Sequence, residues 1–70
     1  MTITFRNQVL RVELSEVDNT IVYHVYWPDN SVRYLLLEPD THGNPVWHYI
    51  DQDATTEAAE IGNLVEQLTS

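Results

Sequence analysis

The side chains able to do chemistry are three histidines, His24, His42 and His48, set among eleven Asp and Glu residues with no cysteine. Histidine with carboxylate is a zinc-type ligand set, and clustered carboxylates suit calcium. Asp40, His42, Asn44 and Asp51 resemble a calcium loop only in part: acidic residues stand at its first and twelfth places, but the glycine is at the fourth and proline at the sixth. Such a loop needs glycine at that sixth, sharply turned place. Asp40 and Asn44 therefore read as turn formers and Asp51 as the approach to a helix, and neither a metal nor a cofactor is expected. Catalysis would need His24 oriented by a carboxylate and beside a nucleophile in a cleft. Ser15 and Ser31 fall in predicted turns and Ser70 at the end of the sequence, so no catalytic residue is assigned. His24 is expected as a cross-strand neighbour of Leu35 and of Arg11 or Glu13. A histidine within an interface gains charge at about pH 6 and would weaken an apolar contact there.

The tyrosines and tryptophans could serve as a stacking platform for single-stranded bases, but such platforms sit in positive grooves. Here eleven carboxylates face three arginines and no lysine, for a formal charge of −8. Arg6, Arg11 and Arg33 lie in three separate segments. Nucleic acid and anionic membrane surfaces are thereby disfavoured as partners, and the aromatic residues point instead to protein contact. The acidity is explained most simply by solubility, with adaptation to high salt or mimicry of a nucleic-acid backbone as alternatives. No basic leader precedes an apolar run, and no stretch approaches the roughly 18 apolar residues of a membrane span, so a soluble, cytoplasmic protein is expected.

The elements that must position these residues are organised around Thr20 to Pro39. Two runs rich in Tyr, Val, Ile and Leu flank Pro28, Asp29, Asn30 and Ser31, a hairpin pattern. A four-residue loop there pairs Trp27 with Val32, Val25 with Tyr34 and Tyr23 with Leu36. That set is the predicted core face, and Tyr26 with Arg33, His24 with Leu35, and Val22 with Leu37 form the other. Upstream, Ile3 and Phe5 alternate with threonines and Leu10, Val12 and Leu14 with polar residues, which gives two more strands joined at Arg6 to Gln8 and turned again at Asp18 and Asn19. Even loops place Phe5 beside Leu10, Ile3 beside Val12, and Leu14 near Ile21 or Tyr23, all facing the core. A fifth strand follows the DTHGNP loop. Its facing depends on that loop: a bulge at Gly43 brings Trp47 and Tyr49 into the core, but the outer face is the expected placement. Asp53 or Thr55 can cap a helix whose apolar stripe is Ala58, Ile61, Leu64, Val65 and Leu68. Gly62 within it either loosens the helix or lets it approach an aromatic ring of the sheet.

The expected fold is α+β: an antiparallel β-meander of about five strands (2–5, 9–14, 20–27, 32–38, 46–50) with one C-terminal α-helix (54–68) packed on one face. Seventy residues make one small domain, and one helix covers one face of a sheet. The uncovered face, with Val9, Val22, His24, Tyr26, Arg33, Leu35, Leu37, Trp47 and Tyr49, exceeds the apolar patch a monomer usually exposes. The chain therefore reads as a protein-interaction module, a homodimer through this face or a binder of another protein, with an acidic inhibitor of a basic target as the alternative. By the same arithmetic Leu35→Glu should be tolerated by the fold and Leu36→Glu should not.

Overall fold

The computed structural model of this protein describes residues 1–69. Five strands, β1 (Thr2–Phe5), β2 (Gln8–Val17), β3 (Thr20–Tyr26), β4 (Val32–Pro39) and β5 (Pro45–Tyr49), are followed by one helix, α1 (Thr56–Thr69). The strands form one antiparallel sheet in sequence order, a curled meander. Among the described residues no helix is long and apolar enough to cross a membrane.

The four turns fall into two kinds. Arg6–Asn7 and Asp18–Asn19 are two-residue turns with both residues at positive φ (48° and 66°, 50° and 66°), the geometry whose twist matches the flanking strands. They set Ile3 opposite Leu10 and Leu14 opposite Tyr23. The first hairpin is two residues tighter than expected, a shift that keeps Ile3, Phe5, Leu10 and Val12 on the core side. The other two turns each carry an extra left-handed residue, Asn30 at φ 69° and Gly43 at φ 82°. At Pro28–Asn30 the Asn30 N–H donates to the Trp27 carbonyl at 3.1 Å, and the Trp27 N–H to the Ser31 carbonyl at 2.9 Å. This is a three-residue loop closed by a bulge. Asp29 fixes it by accepting from the Ser31 N–H at 3.0 Å. Thr41–Gly43 repeats the pattern, with the Gly43 N–H on the Asp40 carbonyl at 3.0 Å and the Asp40 N–H on the Asn44 carbonyl at 2.8 Å.

The odd loop at Asn30 overturns the facing expected of the second half of the sheet. Tyr23 pairs with Leu35 and Val25 with Arg33, while Leu35 and Leu37 pair with Tyr49 and Trp47. Directly opposed residues share a face, so Arg33, Leu35, Leu37, Trp47 and Tyr49 stay together as expected but stand on the helix side. Leu35 is fully buried, and Trp47 and Tyr49 are nearly so.

The core is Ile3, Phe5, Leu10, Val12, Val25, Leu35, Trp47 and Tyr49 from the sheet with Ala58, Ile61 and Val65 from α1. α1 packs against β5, β1 and β4, so the curl brings both edge strands of the sheet to one helix. Thr55 is the cap: its Oγ1 accepts from the Ala58 N–H at 3.1 Å. Gly62 lies directly on the Trp47 indole, with no room for a β-carbon. The glycine is therefore a seat for that ring, which offsets its cost of about 1 kcal/mol within a helix. Leu14, Ile21 and Leu68, expected in the core, are about half exposed, because α1 does not reach over the β2–β3 turn.

Candidate functional site

The helix-free face is built from the alternate set of residues. Arg11 is paired with Tyr26, Glu13 with His24, Ser15 with Val22, and Val17 with Thr20; across β4, Tyr26 pairs with Val32, His24 with Tyr34, Leu36 with His48, and Glu38 with Val46. Of the nine residues assigned to this face from the sequence, Val9, Val22, His24 and Tyr26 are on it. Val17, Val32, Tyr34 and Leu36 join them. The signal that could have placed the last three was Asn30, since asparagine tolerates the left-handed conformation that makes a loop odd.

β3 and β4 pair over four residues only, Tyr23 to Tyr26 with Val32 to Leu35. Beyond Tyr23 and Leu35 the register would bring Val22 against Leu36, but Thr20–Val22 pair only with β2 and Leu36–Pro39 only with β5. The sheet forks there into two hairpins, because two-stranded ribbons twist more strongly than a full sheet. On the helix side Tyr23 and Trp47 meet edge to face at 5.3 Å between ring centres. On the free side the fork opens as a shallow groove of about 440 Å³. Val17, Thr20, Val22 and His24 form one wall and Tyr34, Leu36, Glu38 and Ile50 the other.

Ser15 lies in β2 rather than in a turn, and its Oγ is 2.8 Å from His24 Nε2 at the edge of this groove. The pair resembles a nucleophile with its base, yet Glu13, directly across from His24, is turned elsewhere. It accepts from the Tyr26 hydroxyl at 3.2 Å and stands 3.8 Å from Arg11 Nε. His24 instead packs edge-on to Tyr34, ring centres 5.0 Å apart. The arrangement orders the groove wall without supplying the acid that would orient the imidazole.

His48 has an acceptor at each ring nitrogen, the Tyr49 carbonyl at 2.9 Å from Nδ1 and Glu38 Oε1 at 2.7 Å from Nε2. Only the imidazolium can donate to both. Burial opposes that charge, but the Tyr49 carbonyl and the Glu38 carboxylate outweigh it and raise His48 above the usual histidine range. On the helix side, Arg33 Nη1 and the Tyr49 hydroxyl both donate to Glu57 Oε2, at 2.9 and 2.6 Å. Burial first, then Glu57, push the Tyr49 hydroxyl above the ordinary tyrosine range. Arg33 also lies over the Trp27 ring at 5.0 Å. This cluster ties β4 and β5 to the first turn of α1 and is part of the fold. Asp40, placed first in the calcium-like loop, caps its own turn through the N–H groups of His42 and Asn44. Among the described residues no three His, Asp or Glu side chains gather as a metal-ligand set.

No protein-family profile, curated protein or solved structure matches the chain.

Proposed function

We propose that this chain is a small acidic protein-interaction module without a catalytic role, whose contact surface is the helix-free face centred on the groove between its hairpins. The observation that carries this is the placement of exposed apolar side chains on the groove walls. Val17 is 56%, Ile50 47% and Tyr34 38% exposed, while Leu36 and Val22 continue the apolar surface between them. Contiguous apolar surface of this kind on a soluble chain marks a contact site more often than a scattered single residue does. Arg11 is paired with Glu13 and His48 with Glu38, and Asp18 adds negative charge at one end of the groove.

Val17→Glu and Tyr34→Glu test the reading. Val17→Glu should change stability by about 0.5 kcal/mol or less and Tyr34→Glu, which also loses the ring contact with His24, by about 1 kcal/mol, so both variants should fold and lose a partner that the parent retains. Variants that unfold, or that retain the partner equally well, would make this surface a requirement of folding or a bystander. Self-association is the second reading, favoured by the charge pairing on the face. Leu35, Trp47 and Tyr49 lie beneath α1 and take no part in such a contact. Sedimentation at high concentration decides it: a parent dimer that Tyr34→Glu splits is the expected sign, and a parent monomer rules it out.

A further inference from the structure

We propose that the fork between the β2–β3 and β4–β5 hairpins accepts an extended, basic segment of another protein as an added strand. This rests on the interaction-module reading and gives its partner a chemistry. In a strand alternate residues direct their N–H and C=O groups to opposite neighbours. Thr20–Val22 are paired on the β2 side alone and Leu36–Glu38 on the β5 side alone, so the groups turned into the fork have no strand to bond among the described residues. Free strand edges are templates for strand addition, in which main-chain bonds give affinity and alternate side-chain pockets give specificity.

An added strand points successive residues to opposite faces. One set would enter the groove against Val22 and Leu36. The other would emerge on the helix side against Ile21 and Leu37, which are 46% and 37% exposed and share that face with Tyr23. Both sets meet apolar surface, which suits a β-branched segment rather than an amphipathic one.

Asp18 stands on one wall of the groove and Glu38, bonded to His48, on the other, and the three arginines are engaged elsewhere, with Glu60, Glu13 and Glu57. A second copy would bring a further formal charge of −8 and no lysine to this rim. A segment with Lys or Arg on either side of its apolar run is what the field attracts.

The test is a titration of the isotope-labelled full chain with a short peptide of alternating valine and threonine flanked by lysines, and with its glutamate-flanked twin. The amides of Ile21 and Leu37, which turn into the fork, should gain protection from exchange, and those of their neighbours in Thr20–Val22 and Leu36–Glu38 should shift, with the twin binding at least about tenfold more weakly. Val22→Lys should abolish binding; if that variant does not fold, Val17→Lys, at a more exposed wall position, gives the same readout. Equal binding of the twins, or binding of neither, overturns the proposal. Shifts confined to the flat end around Arg11 and Tyr26 also overturn it while leaving the interaction reading standing. Shifts at the fork on concentrating the protein alone would name a second copy as the occupant, against the proposal.

Discussion

The two faces of the sheet are built from alternate residues of the same strands, with Val, Leu and Tyr on both, yet they end in opposite environments. On the helix side Leu10, Val12, Val25 and Leu35 reach full burial against Ala58, Ile61 and Val65. On the free side only Leu36 comes close, and it does so in the groove. Composition does not separate them. What separates them is one helix with a notch at Gly62 that Trp47 fills, so complementarity on one side leaves apolar surface over on the other.

Adjacent residues of β4 give the sharpest way to break that contrast. Leu35→Glu buries a charge under α1 and should cost more than about 4 kcal/mol, enough to unfold a marginally stable chain. Tyr34→Glu, one residue away, should still fold, as should be seen by circular dichroism on heating. Equal effects would mean the faces are not distinct. Gly62→Ala comes next. The added methyl collides with the indole of Trp47, and overpacking this close costs about 3 kcal/mol against about 1 kcal/mol of helix propensity gained; the net loss should lower the melting temperature by about 10 °C. A stabilised variant would show that the notch is not needed.

Asn30 tests the turn that decides which face is which. At φ 69°, Asn30→Val should lose about 1–2 kcal/mol because a β-branched residue resists this conformation, whereas Asn30→Gly should be neutral or better. Denaturant midpoints measure both. The smallest effect concerns the free face. The folded value of His48 is raised, so its contribution is fully present below the unfolded value of about 6.5 and is lost as pH rises through the folded value. Glu38 is half exposed, and solvent screening limits the gain to about 0.5 kcal/mol. The stability difference between the parent and His48→Gln should be largest at about pH 5 and shrink on going alkaline; a difference independent of pH would remove the imidazolium from the account.

Strand and helix identities were legible because alternation and helical spacing are strong signals, and the facing of β1, β2 and β3 was legible because Asp18–Asn19 is a plain two-residue turn. The rest turned on one residue. Pro28 to Ser31 has the composition of a loop but does not state its length in hairpin terms, and the left-handed Asn30 makes it odd. Arg33, Leu35, Leu37, Trp47 and Tyr49 therefore changed sides together, and Leu35→Glu became a disruptive substitution, while Leu36, buried in the groove, keeps a cost for Leu36→Glu. The groove was not legible, since it arises where pairing between β3 and β4 stops, and no residue type marks that point. Ser15 beside His24 was missed because β2 runs on to Val17, through residues with turn-like composition.

The contact of α1 with both β1 and β5 bears on how the chain folds. The first strand and the fifth are far apart in sequence and are joined through the element that leaves the ribosome after both. Until that element emerges, the growing meander has two bare edges and an uncovered apolar face, the state most exposed to aggregation. A chain cut before Thr56 should accordingly collect in inclusion bodies, and supplying the helix as a separate peptide during refolding should return part of it to solution.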